Sequence, residues 1–160
     1  VEHTLSAVHS SWTQVDIYNA AQSIKSFGTG IFPSHWLEMA KSRLYDNDES
    51  ATWTLHRIVR DLLTIFSPIC PFFTHYLSTT LFGESSVDIR EFPKLPDSCG
   101  LEDSNDYRSL TPAIVMFNSN VWKSKKDVGL SLKSPIGGIA VPTELQLFKT
   151  PLINMHNLVE

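Results

Sequence analysis

The stretch Phe32-Pro33-Ser34-His35-Trp36-Leu37-Glu38-Met39-Ala40-Lys41-Ser42-Arg43-Leu44-Tyr45, with Ile65-Phe66-Ser67-Pro68-Ile69-Cys70-Pro71-Phe72-Phe73 beyond it, carries the pattern that decides the fold. Pro33 suits the first turn of a helix, where its missing N–H costs nothing. Phe32, Trp36, Met39, Ala40 and Leu44 give that helix an apolar face. Asp46-Asn47-Asp48-Glu49 reads as a turn, with Asp48 as the N-cap of the next helix. Leu55, Ile58, Val59, Leu62, Leu63 and Phe66 then form an apolar stripe at helical spacing. Pro68 and Pro71 break it. A fourth helix carries Phe72, Phe73, Tyr76, Leu77 and Leu81 and stops at Gly83. Trp36, Phe66, Phe72 and Phe73 are expected in the core.

Upstream, Leu5, Val8, Trp12, Val15, then Ala20 or Ala21, Ile24 and Phe27 predict one helix from about Leu5 to Phe27, capped by Thr4 and ended by Gly28 and Gly30. Downstream, Glu84 to Asp103 reads as loop. Tyr107, Leu110, Ile114, Phe117 or Val121, and Trp122 predict a fifth helix, about Ser104 to Lys126, with Gly129 after it. Beyond Gly137-Gly138 the period shortens, and Ile139, Val141, Leu145, Leu147 and Ile153 are placed on short strands. The fold expected is mainly α: a helical bundle over 1–103, then the fifth helix and a small α/β appendage over 104–160.

Composition bounds the function. The chain has 160 residues, enough for one domain with a real core. No apolar run reaches the about 18 residues of a membrane span. Val1 stands where a start Met would be, so an excised piece of a longer protein is expected. Cys70 and Cys99 form no C-x-x-C, and Cys70 reads as a small buried hydrophobe in a reducing, cytoplasmic setting. The net charge is −4, so the whole domain does not attract nucleic acid electrostatically. Cations nonetheless gather locally: Lys41, Arg43, Arg57 and Arg60, then Lys123, Lys125, Lys126 and Lys133. Acid collects between Glu84 and Asp106.

No catalytic or metal site is expected. Asp46, Asp48 and Ser50 open like a calcium loop, but Ala51 stands where Gly is needed and Arg57 where a bidentate Glu is needed. His35 and Glu38 lack a second ligand pair. No G-x-S-x-G, phosphate loop or G-x-G-x-x-G occurs.

A resemblance adds what composition does not. Ile17-Tyr18-Asn19-Ala20-Ala21, His35-Trp36-Leu37-Glu38 with Lys41, Pro68-Ile69-Cys70-Pro71-Phe72 and Gly83-Glu84-Ser85-Ser86-Val87 before Phe92-Pro93 occur in an order that resembles the helical anticodon-binding region of class I tRNA synthetases for branched aliphatic amino acids. Trp122-Lys123-Ser124-Lys125-Lys126-Asp127-Val128-Gly129-Leu130-Ser131-Leu132 and Val141-Pro142-Thr143-Glu144-Leu145 extend the likeness, which is greatest to valyl-tRNA synthetases of the archaeal form. Gly28-Thr29-Gly30 departs from it, where a tryptophan and an acidic residue are usual. The active-site motifs H-I-G-H and K-M-S-K-S are absent.

The resemblance implies an RNA-reading module without the chemistry. Its partners would be a valine-specific tRNA and the catalytic domain of the same enzyme. ATP and magnesium would belong to that absent domain, so no cofactor is expected in this piece. Lys41, Arg43, Arg57 and Arg60 would contact phosphates or bases, Lys123 and Lys126 would hold the stem, and Trp53 would stack on a base. For Trp53 the competing reading is core packing. For the arginines it is an intramolecular pair, such as Arg57 with Asp61. Two other functions compete: the equivalent module of an isoleucyl- or leucyl-tRNA synthetase, and a helical protein-interaction module.

Overall fold

The computed structural model describes residues 1–94 and 109–159. The chain divides into two compact units: of the described residues, one holds 1–30 and 49–94, the other 31–48 and 109–159.

In the first unit, α1 (Glu2–Thr13) and α2 (Ile17–Ser26) stand where one continuous helix was expected. The break comes from Asp16. Its carboxylate accepts the backbone N–H of Asn19 at 3.0 Å and caps α2. Val15 takes the turn with φ at +60°. Thr4 is not the cap, since α1 already begins at Glu2. The expected stop at Gly28 and Gly30 is not a stop either. From Phe27 to Leu37 the chain continues in wide π-helical turns, with Pro33 inside them, and passes into α3 (Glu38–Tyr45).

α4 (Glu49–Phe66) begins directly after Asp48, and α5 (Pro71–Phe82) ends at Gly83 in the left-handed conformation, both as the punctuation predicted. α1 packs on α2, α2 on α4 and α4 on α5. Leu5, Val8, Ile24 and Ile65 form the buried centre, with Trp12, Leu62, Phe66, Ile69 and Phe92 around it.

α5 corrects an expectation. Thr74 and Ser78 are its buried side chains, while Phe72 is 90% exposed and Phe73 and Tyr76 also face solvent. Small hydroxyl residues line the inner face: Thr74 donates to the Cys70 carbonyl at 2.9 Å, and Ser78 donates to Glu84 Oε2 at 3.0 Å. Phe72 and Phe73 are therefore not core. Trp36 and Phe66 are half-buried, as is Cys70.

The second unit holds α3, α6 (Leu110–Asp127), a 3-10 turn (Thr143–Phe148) and α7 (Lys149–His156). A parallel pair, β1 (Ile136–Gly137) with β2 (Leu158–Val159), joins its ends. The first part of the expected fifth helix, 104–108, and Cys99 lie outside the described residues. Leu145 and Leu147 sit on the 3-10 turn and Ile153 on α7, not on strands. Ile139 and Val141 have no regular structure. The apolar spacing there was that of short helical turns, and the strands are only two residues long. Phe117, Val121, Leu145 and Leu152 form the core, with Met39, Ile114 and Phe148 packed on it. Among the described residues no helix is long and apolar enough to cross a membrane.

Candidate nucleic-acid interface

Three of the candidate residues share one face of α4. Trp53, Arg57 and Arg60 stand at i, i+4 and i+7, so a straight helix aligns them along one side. All three are exposed, Trp53 at 66%. The opposite side carries Ala51, Ile58 and Ile65 into the core. Amphipathicity thus fixes the outward direction of the cations and the indole together.

Two carboxylates hold these guanidinium groups. Arg57 Nε donates to Asp61 Oδ2 at 2.8 Å, the pair foreseen from spacing, and its Nη2 reaches the Lys94 carbonyl at 3.5 Å. Asp61 is almost buried, so it is a fixed anion under a half-exposed cation. Arg60 Nη2 lies 2.7 Å from Glu84 Oε1. Arg90, a residue absent from the sequence-based candidates, grips the other Glu84 oxygen. Its signal in the sequence was slight: it is one of two cations, with Lys94, between Glu84 and Asp106. Arg90 is mostly buried, and burial with the nearby Arg60 charge pulls its pKa below the usual guanidinium range.

The second unit contributes separate cations. On α3, Lys41 pairs with Glu38, and this hydrogen bond raises the ammonium pKa. Arg43 Nε donates to Asp48 Oδ2 at 2.9 Å, with the same direction of shift. Both pairs are exposed and hold their charges loosely. On α6, Lys123 and Lys126 lie three residues apart in solvent, and among the described residues neither has an ion-pair partner. Lys125 between them is different. It is fully buried, donating to the carbonyls of Leu132 at 2.7 Å and His156 at 2.6 Å. Burial lowers its pKa. The structure therefore brings Trp53, Arg57 and Arg60 onto one face, pairs Lys41 and Arg43 locally, and leaves Lys123 and Lys126 open.

Flat rings with planar guanidinium groups on a rigid helix suit unpaired bases and their phosphates. Comparison with known proteins agrees with that chemistry. The family described as "Anticodon-binding domain of tRNA ligase" matches residues 1–137. Among curated relatives, the valine–tRNA ligase of Saccharolobus solfataricus is 32% identical over 79% of this chain and 15% of its own length. That of Aeropyrum pernix is 29% identical over 95% of this chain and 19% of its own length. That of Nanoarchaeum equitans is 33% identical over 86% and 17%. The chain thus spans under a fifth of the length of these relatives. No solved structure matches it. The α4 face and the family match over most of the sequence lead to one conclusion: this chain belongs to the anticodon-binding domains of tRNA ligases.

Proposed function

We propose that this domain recognises the anticodon arm of valine tRNA, in support of aminoacylation by a catalytic domain of a valine–tRNA ligase. The observation that carries the reading is the common face of Trp53, Arg57 and Arg60 in a chain of this family. Trp53 supplies a ring on which an unpaired base stacks, and the arginines supply bidentate donors to phosphate or base edges. Lys41, Arg43, Lys123 and Lys126 add salt-dependent attraction to the backbone. The valine specificity rests on the relatives' names. On this reading catalysis, with its ATP and magnesium, belongs to a further domain of the same ligase, and the setting is the cytoplasm.

Titration of the chain with valine tRNA and with the same tRNA carrying a substituted anticodon tests this. Tighter binding of the native anticodon is expected. Equal affinity would refute base recognition.

A second reading has its own support. Phe72, Phe73 and Tyr76 form an exposed aromatic arc on α5, which suits a protein surface. The two readings separate by salt: RNA affinity falls steeply between low and physiological ionic strength, whereas apolar docking barely changes.

A further inference from the structure

We infer that Glu84 and Arg90 are positioning residues that aim the Arg60 guanidinium at an RNA phosphate. The inference rests on the RNA-binding reading above.

Arg90 is built in as a clamp across α4 and α5. Its Nη1 donates to the Arg60 carbonyl at 3.2 Å and to Thr64 Oγ1 at 3.1 Å, both on α4. Its Nη2 donates to Ser78 Oγ on α5 at 2.5 Å. The guanidinium carbon lies 5.8 Å from the centre of the Phe82 ring, also on α5. The side chain is only 11% exposed, and Nε is buried with no partner among the described residues. Such a group does not swing. The Glu84 carboxylate that it grips is fixed a second time by the Ser78 hydroxyl, which donates to Oε2 at 3.0 Å.

The remaining Glu84 oxygen, Oε1, is the one that meets Arg60 Nη2. Arg60 is the exposed member of the chain of contacts, with 53% of its side chain in solvent. Its other guanidinium N–H groups have no partner among the described residues. A long, half-exposed arginine is thereby tethered at one nitrogen. Holding a donor in place lowers the ordering cost of binding.

Coulombic reasoning alone predicts the opposite role for Glu84. An acid beside a phosphate site repels the ligand, so neutralising it strengthens binding. Positioning predicts weaker binding, and the sign decides. The experiment measures the Kd of the full chain for valine tRNA over a salt series, for wild type, Glu84→Gln, Arg60→Ala and the double variant. Glu84→Gln is expected to weaken binding roughly tenfold and to flatten the salt dependence as much as Arg60→Ala does, by about one phosphate contact. In the Arg60→Ala background it should cost nothing further. Glu84→Asp keeps the charge but withdraws the carboxylate by one methylene. It should also weaken binding, and it serves if Glu84→Gln does not fold. Unchanged or tighter binding by the variant, or an equal loss with and without Arg60, overturns the inference. Failure of the wild type to bind valine tRNA overturns the functional reading along with it.

Discussion

His156 shows how much a single buried ring can decide. It is fully buried on α7, and its Nε2 donates to Asn118 Oδ1 at 2.8 Å. The Asn118 amide in turn donates to His35 Nδ1 at 3.0 Å. The His156 Nδ1 has no partner among the described residues, so protonation would place a buried donor there without an acceptor. Burial first, then the charge of Lys125, then His35, push its pKa down to about 4 from 6.5. The folded form therefore binds fewer protons than the unfolded chain between those values, and stability rises with pH there. The contribution is complete above about pH 6.5 and is lost as pH falls towards 4, amounting to about 3 kcal/mol. Urea unfolding at pH 7, 5.5 and 4.5 should show this decline, and His156→Gln should flatten it. A wild-type curve as flat as the variant's would remove the role assigned to His156. None of this network was legible in the sequence. Its members are 83 and 38 positions apart, and a scattered histidine carries no local mark. Lys125 likewise reads as one more surface cation until the carbonyls that surround it are known.

Helix boundaries were readable at the glycines that take the left-handed conformation, but not at Gly28 and Gly30, which do not. Gly83, at φ +66°, and Gly129, at φ +72°, end α5 and α6 as their lack of a side chain allows. The α1–α2 break was missed because Val15, apolar and on the helical stripe, gives no turn signal; Asp16, a preferred N-cap, was the available sign. A β-branched residue in the left-handed region is strained, at roughly 1–2 kcal/mol. Val15 is 78% exposed and so loses little packing when trimmed. Val15→Gly should therefore stabilise the chain by about 1 kcal/mol, read as a higher midpoint in chemical denaturation. A lower midpoint would mean that the turn is held by contacts of the valine itself. α5 was misread for another reason: aromatic residues at helical spacing say that a face exists, not which way it turns. Thr74 and Ser78 take the inner side, and only packing reveals it. On α4 the sequence left Trp53 open between stacking and core packing, and the structure decides for exposure, on the side away from Ala51, Ile58 and Ile65.

At the scale of the whole molecule, charge was a poor guide and order a good one. A net charge of −4 argues against an RNA partner, yet the sequence of punctuating motifs pointed to the family that matches residues 1–137. The candidate cations were legible as residue types. What each one holds was not, because Glu84 reaches Arg60 and Arg90 only through the folding of α4 against α5 and the segment that follows. The proposed function requires the α4 face to receive unpaired bases, and Trp53 tests it most directly. The measurement is the affinity of wild type and Trp53→Ala for a hairpin carrying the valine anticodon arm, and for a continuous duplex of the same stem. Loss of one stacked base should weaken binding to the looped arm by about 1–3 kcal/mol while leaving the duplex unaffected. An equal loss on both, or no loss on the looped arm, would contradict the claim that this face reads the loop.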